Sequence, residues 1–127
     1  MDFVSDIFIR IKNAQKAGHD FVRLPATKFI YEIARALEAN GFIGHIERKG
    51  KRIKKTLEIE LLHPPGHPAV NGIILLFRPS NRLYVSVKDL PRARRGGVVF
   101  VSTSKGVMTT QQAHKQHLGG MLIAEIW

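Results

Sequence analysis

The sequence predicts an α+β protein: an N-terminal α-β-α-β-β domain packed on a β-rich C-terminal domain with one short helix. Apolar residues in the first forty positions recur with the spacing of helices, and those near position 60 alternate with acidic residues as in a strand. The segment HPPGHPAVNG, residues 63–72, contains three prolines and two glycines and cannot continue a hydrogen-bonded ladder. It sets the predicted boundary between domains 1–66 and 67–127.

The first element is a predicted helix with one continuous apolar face. The residues with the i, i+3, i+4, i+7 spacing of that face are Val4, Ile7, Phe8, Ile11 and Ala14. Asp2 is the predicted N-cap, because its side-chain oxygen can accept a backbone N–H left unpaired at the helix start. The helix is expected to end at Lys16-Ala17-Gly18.

A strand, a second helix and two further strands complete the predicted N-terminal domain. DFVRL forms the first strand, and Pro25 lies at the expected start of the second helix, where proline is tolerated. The apolar stripe of that helix comprises Ile30, Ile33, Ala34 and Leu37. Asn40-Gly41 is its predicted left-handed stop. FIGHIER and KTLEIELL are the two strands, and the basic residues between them form the turn.

The C-terminal domain is predicted to consist of short strands and one helix. IILLF, LYVSV and VVFVS are predicted strands, and MLIAEIW is the last. The helix is expected from about Gln111 to His117. Thr109 with Gln112 three residues later fits a capping box at its N-terminus.

The composition favours a polyanionic partner. The 127 residues contain 20 Lys and Arg against 10 acidic residues, which gives a net charge of +10, and the hydrophobic content of 44% is enough for a core. Residues 61–127 hold eight basic and two acidic residues. A nucleic acid or an anionic membrane surface fits this balance better than a small acidic substrate. The absence of cysteine excludes disulfides and thiolate metal sites, and no apolar run approaches the roughly 20 residues that span a bilayer.

The segment Ser102-Thr103-Ser104-Lys105-Gly106 is the leading candidate for RNA contact. Hydroxyl side chains can donate and accept hydrogen bonds in the shallow minor groove of duplex RNA, and glycine permits close backbone approach. The lysine can meet a phosphate or a base-edge acceptor. The arginines that flank the segment in sequence are Arg78, Arg82, Arg92, Arg94 and Arg95. Tyr84 can either stack on an unpaired base or fill the core.

Catalytic, metal and nucleotide sites are weakly supported alternatives. Ser102 or Ser104 with His114 or His117 would need an orienting acid, and Glu125 is the acid nearby. No nucleophile-elbow motif surrounds either serine. The pairs His114/His117 and His63/His67 lack further ligands, and Ser104-Lys105-Gly106 inverts the order of a phosphate-binding loop. The sequence therefore predicts no enzyme, no metal, no cofactor and no small-molecule substrate.

The same segments resemble a known family. VSTSKGVMT followed by Ala113, Gly119-Gly120 and the terminal Trp127 resembles the C-terminal signature of small-subunit ribosomal protein family eight, in its bacterial form. SDIFIRIKNA, LPATK and EANGFI resemble the family's N-terminal segments. The resemblance implies a structural constituent of the small subunit that binds an irregular helix in the central domain of small-subunit rRNA, promotes assembly and contacts neighbouring ribosomal proteins. It implies a ribosome in the bacterial cytoplasm or in an organelle, and no membrane partner.

The resemblance also assigns rRNA contacts to particular residues. They are Ser102, Thr103, Ser104, Lys105, Gly106, Arg82, Tyr84, Arg78, Arg10, Lys12, Asn13 and Lys28. The sequence departs from the family pattern in four places. Ser80 follows Arg78-Pro79 in place of a glycine-containing turn, Arg95 replaces a glycine, and Met121 replaces a carboxylate. Residues 110–114, Thr-Gln-Gln-Ala-His, stand where the family has Asp-Arg-Glu-Ala-Arg. A non-ribosomal regulator that binds structured mRNA and represses translation would show the same charge pattern, and it remains the alternative at this point.

Overall fold

The computed structural model describes residues 3–50, 55–77 and 83–127, which form two compact units. One unit is Asp6–Val70, and the other comprises Asn71–Trp127 with the residues that precede Asp6. The predicted N-cap Asp2 and residues 51–54 of the predicted basic turn lie outside the described residues. The order of helices and strands agrees with the α+β prediction.

Two helices with the predicted apolar faces belong mainly to the unit Asp6–Val70. Helix α1 spans Phe3–Lys16 and helix α2 spans Lys28–Ala39. All the residues predicted for the two apolar faces are buried. Gly18, two residues after the end of α1, has a φ of 78°, and Gly41, two residues after the end of α2, has a φ of 80°, which confirms both predicted stops.

A three-stranded antiparallel sheet completes this unit. Strands β1 (Phe21–Pro25), β2 (Ile46–Lys49) and β3 (Thr56–Glu60) have the order β1-β3-β2. Leu57 and Ile59 are fully buried while Glu60 is exposed, so the alternation predicted for β3 is confirmed.

Two element boundaries differ from the prediction because local hydrogen bonds compete. Pro25 is the last residue of the edge strand β1, where a missing N–H is tolerated, and α2 begins three residues later. The hydroxyl of Thr27 caps that helix by accepting from the Ile30 amide at 3.2 Å. Strand β2 begins at Ile46 rather than Phe42, because the Phe42 amide donates to the Leu37 carbonyl at 3.0 Å and closes the end of α2.

Glu58, on the central strand of this sheet, makes the folding stability of the protein depend on pH. It lies 3.0 Å from the Lys49 ammonium and 3.3 Å from the Arg23 guanidinium. The hydrogen bond from Lys49 foremost, with the charges of Lys49 and Arg23, lowers the pKa of Glu58 below its ordinary value of 4.5. The stabilisation is therefore complete above pH 4.5 and is lost as the pH falls through the lower, folded-state pKa.

We expect Glu58→Gln to remove this part of the acid dependence. The variant loses the titrating group, so its melting temperature should fall less steeply than that of the wild type as the pH decreases below 4.5. Thermal unfolding followed by circular dichroism between pH 6 and pH 3 checks it. Parallel curves for the two proteins would contradict the assignment.

The C-terminal unit contains a five-stranded antiparallel sheet. Its strands are β4 (Ile73–Leu75), β5 (Tyr84–Val85), β6 (Val98–Thr103), β7 (Gly106–Thr109) and β8 (Gly120–Ile126). The order is β4-β8-β6-β7, and β5 also pairs with β8. A single 3-10 turn, Val87–Asp89, follows β5. The predicted strands IILLF and LYVSV are shortened to β4 and β5, and β7 is a further strand that the sequence pattern does not predict.

Helix α3, Thr110–Lys115, follows β7 directly. The Thr109 hydroxyl accepts from the Gln112 amide, and the Gln112 side chain accepts from the Thr109 amide, which confirms the predicted capping box. Ala113 packs with buried residues of the sheet: Val99, Val101, Met108 and Leu122. No helix in the described part of the chain is long and apolar enough to cross a membrane.

Candidate nucleic-acid interface

The segment Ser102–Gly106 forms the tip of the β6–β7 hairpin. Thr103 pairs with Gly106, and Ser104 and Lys105 make the turn between them. Gly106 has a φ of 110°, which favours glycine, whereas neither Ser104 nor Lys105 has a positive φ. The tip is separate from the start of helix α3, which begins at Thr110 and is capped by Thr109.

The hydroxyl of Thr103 holds the turn in shape. It donates to the Gly106 carbonyl at 2.9 Å and accepts from the Lys105 amide at 3.1 Å. Both bonds are internal to the turn, so Thr103 fixes the backbone that carries the two exposed side chains, Ser104 and Lys105. Ser102 is half-buried one residue earlier on β6.

A cross-strand row connects this hairpin with Tyr84. Tyr84 on β5 pairs with Met121 on β8, Met121 pairs with Ser102 on β6, and Ser102 pairs with Val107 on β7. Directly paired residues point to the same face of a sheet, and neighbouring strands are about 4.8 Å apart. Tyr84 and Ser102 therefore share one face at a separation of about 10 Å. Tyr84 is 66% exposed, which rules out the alternative that it fills the core.

Two glycines allow the strands of this row to approach closely. A Cβ at Gly120 would meet the carbonyl oxygen of Ser102, and a Cβ at Gly119 would meet that of Val85. Both obstacles are backbone atoms of paired strands and cannot swing away. The Gly119-Gly120 pair, predicted from the sequence only as a turn, thus lets β8 and the residue before it lie close to both the hydroxyl-bearing strand β6 and the strand of Tyr84, β5.

Glu125 and Arg95 are occupied by contacts within the C-terminal unit. The buried Glu125 carboxylate accepts from the Arg95 guanidinium at 3.2 Å and from the Arg94 amide at 2.9 Å. The Arg95 guanidinium also lies 5.1 Å from the centre of the Trp127 ring. The departure from the family pattern at Arg95 therefore places a partly neutralised cation at the end of β8.

The described residues give no support to the catalytic alternative. His114 lines a groove of about 550 Å³ between α3 and residues 90–93, and neither Ser102 nor Ser104 contributes to its lining. Glu125, the acid that such a site would need, is paired with Arg95. Within residues 3–50, 55–77 and 83–127, no three His, Asp or Glu side chains are grouped to hold a metal ion.

The remaining candidate residues lie on the N-terminal unit or outside the described residues. Lys12 and Asn13 are exposed on α1, and Lys28 is exposed at the start of α2. Arg10 forms an ion pair of 3.1 Å with Asp6 one helical turn earlier. Arg78, Arg82 and Ser80 lie outside the described residues.

Comparisons with known proteins agree with the resemblance found in the sequence. The family model for Ribosomal protein S8 matches residues 2–127. The chain is 40% identical to "Small ribosomal subunit protein uS8c" of Guillardia theta and 38% identical to "Small ribosomal subunit protein uS8" of Solibacter usitatus; both matches cover 99% of this chain and 98% of the relative. It is 36% identical to the uS8 protein of Trichormus variabilis over 99% of this chain and 97% of the relative.

Proposed function

The chain belongs to the ribosomal protein S8 family, and we propose that its C-terminal hairpin recognises an irregular helix in the central domain of small-subunit rRNA. As a member of this family it is an RNA-binding structural constituent of the small ribosomal subunit and not an enzyme. Its place is the ribosome, in a bacterial cytoplasm or in an organelle. We further propose that binding promotes assembly of the subunit with neighbouring ribosomal proteins.

The observation that carries this proposal is the row in which Ser102 shares one face of the sheet with the exposed Tyr84, on the hairpin whose tip exposes Ser104 and Lys105. The minor groove of duplex RNA is wide and shallow and presents 2′-hydroxyls, which a short rigid hairpin can reach. A helix with an internal loop also offers unstacked bases to an aromatic side chain. The row Tyr84–Met121–Ser102 thus fits a groove next to an unpaired base better than it fits plain duplex.

Each residue of the interface has a proposed role that follows from its chemistry. Lys105 contacts a phosphate or a base edge, while Ser102 and Ser104 bond to groups in the groove. Thr103 keeps the turn in shape, and Gly106 permits its close approach. Met121 presents an apolar surface where the family pattern has a carboxylate, so no negative charge lies between Tyr84 and Ser102. Arg82 is proposed to contact the same RNA element as Tyr84, and Arg78 to add to the charge attraction. The residues proposed to contact other parts of the rRNA are Arg10, Lys12, Asn13 and Lys28.

A binding titration against two RNA fragments tests the proposal. One fragment carries the central-domain helix with its internal loop, and the other has the loop replaced by plain duplex; both are titrated at several salt concentrations. We expect the intact loop to be favoured by about 4 kcal/mol or more, as for specific over non-specific complexes. Equal and steeply salt-dependent binding to both fragments would contradict recognition of the internal loop and show that the protein binds RNA by charge attraction alone.

Lys105→Ala and Ser104→Ala should separate charge from shape at the tip. Removing Lys105 should weaken binding to both fragments and lower the slope of log K against log salt by about 0.9, the value for one phosphate contact. Ser104→Ala should leave the slope unchanged and reduce the preference for the internal loop. Preserved discrimination in Ser104→Ala would contradict the groove contact assigned to this hydroxyl.

A further inference from the structure

Two arginines flank one tyrosine on the N-terminal unit. The Arg48 guanidinium, on β2, lies 4.0 Å from the centre of the Tyr31 ring on α2, and the Arg35 guanidinium lies 5.8 Å from it. Arg35 also donates to the Tyr31 hydroxyl at 3.3 Å. Both arginines are exposed, and Tyr31 is half-buried. The ring therefore fixes two positive charges next to each other at the protein surface.

Neither charge is neutralised by a neighbouring acid. Arg10 is paired with Asp6, and Arg23 and Lys49 share Glu58. In contrast, no carboxylate among the described residues lies within the 4.0 Å ion-pair distance of Arg35 or Arg48. The acids nearest in sequence are Glu32, Glu38 and Glu47, and none of them forms such a pair.

The cluster offers more hydrogen-bond donors than acceptors. A guanidinium has five N–H donors and no acceptor, and stacking on a ring leaves its N–H edge free. The Tyr31 oxygen already accepts from Arg35, so its own O–H points elsewhere as a third donor. Two exposed guanidinium edges and one phenol O–H match an oxyanion with several acceptor oxygens, and the planar guanidinium fits phosphate in bidentate fashion.

The sequence next to Arg48 favours a polyanion over a single small anion. Six of the eight residues from Arg48 to Lys55 are Lys or Arg. The like charges of such a run repel one another, and a chain of phosphates along it would relieve that repulsion. An RNA backbone supplies phosphates at regular spacing, so one of them can enter the cluster while others face the basic run.

We propose that Tyr31, Arg35 and Arg48 form a binding site for a phosphodiester of the RNA backbone. The site lies in a different unit from the β6–β7 hairpin and makes a second, sequence-independent contact. The identity of the RNA as rRNA rests on the proposed function, whereas the site itself rests on the contacts of these three residues.

The test compares an arginine of the cluster, unpaired among the described residues, with a paired arginine outside it. Arg48→Ala and Arg23→Ala remove the same charge from the same unit, but Arg23 is already paired with Glu58. The full-length proteins are titrated with the central-domain rRNA fragment at several salt concentrations. We expect Arg48→Ala to weaken binding about tenfold and to lower the salt slope by about 0.9. Arg23→Ala should change affinity less than about twofold, as expected for a paired surface charge.

Two further variants test the geometry. Arg48→Lys keeps the charge and loses the planar fork, so it should recover only part of the affinity. Tyr31→Phe keeps the ring but removes both the O–H donor and the oxygen that accepts from Arg35, so it should weaken binding by about threefold while the salt slope stays unchanged. Thermal unfolding of each variant is the folding control: a melting temperature equal to that of the wild type shows that the measured affinity belongs to a folded protein.

Backbone footprinting with hydroxyl radicals distinguishes this site from the hairpin. Arg48→Ala should expose an RNA segment that stays protected in Lys105→Ala. Identical effects of Arg48→Ala and Arg23→Ala on affinity, slope and footprint would overturn the phosphate site while leaving the hairpin proposal intact. A wild-type protein that does not distinguish the loop fragment from plain duplex, yet still loses affinity in Arg48→Ala, would overturn the proposed function and leave this site standing.

Discussion

Gly120→Ala is expected to lower the free energy of unfolding by about 3 kcal/mol, the upper part of the range for overpacked sites. The added Cβ would meet the carbonyl oxygen of Ser102, which belongs to the paired backbone of β6. Relief requires β6 and β8 to separate, and that disrupts the pairs Val101–Leu122 and Ser102–Met121. The row that carries Tyr84 and Ser102 would be broken, so loop-specific RNA binding should be lost with the stability.

Chemical denaturation measures the first effect, and the chain contains a convenient probe. Trp127 is its single tryptophan and directly follows β8. Gly44→Ala is a matched control, because a Cβ there would meet the Glu60 side chain, whose rotation costs only the exposed hydrogen bond from the His45 amide. We expect the control to cost less than about 1 kcal/mol. Equal losses in the two variants would show that the contact with the Ser102 carbonyl does not determine the cost.

The helices were predictable because their signals are local. The apolar spacing of α1 and α2, the Asn40-Gly41 stop and the Thr109/Gln112 capping box each depend on residues within a few positions of one another. The errors at Pro25 and Phe42 are also local, but there two signals compete. At Pro25, the preference of proline for the start of a helix competes with the capping side chain of Thr27, and the helix starts after Thr27. At Phe42, the backbone amide bonds to the Leu37 carbonyl at the end of α2, so the strand starts later.

The arrangement of the candidate interface was less predictable, because it depends on pairing between distant segments. The polar segment Ser102–Gly106 was recognisable, whereas its position at a hairpin tip depends on the short strand β7. Only the register of β5 and β6 on β8 places Tyr84, Met121 and Ser102 in one row. The Tyr31 cluster was not predicted either, since its residues come from a helix and a strand whose packing is not encoded in a local pattern. The RNA contacts of individual residues stay predictions.

Tyr84→Ala should reduce affinity for the loop-containing RNA by roughly tenfold to a hundredfold. Stacking of one base on an aromatic side chain contributes about 1–3 kcal/mol by alanine substitution. Because 66% of Tyr84 is exposed, its removal leaves no cavity, and the melting temperature should remain close to that of the wild type. Affinity for the plain-duplex fragment should change little, since a duplex offers no unpaired base. Titration of both fragments with the variant checks the result.

Two matched variants identify what Tyr84 contributes. Tyr84→Phe keeps the ring and should bind within about threefold of the wild type if stacking dominates, because only one hydrogen bond is removed. Leu83→Ala removes an adjacent side chain that is 49% exposed, and it should leave loop recognition unchanged because consecutive residues of an extended chain point to opposite faces. An equal loss in Tyr84→Phe and Tyr84→Ala would assign the contact to the phenol hydroxyl. Wild-type affinity in Tyr84→Ala would remove Tyr84 from the interface and leave recognition to the Ser104-Lys105 tip.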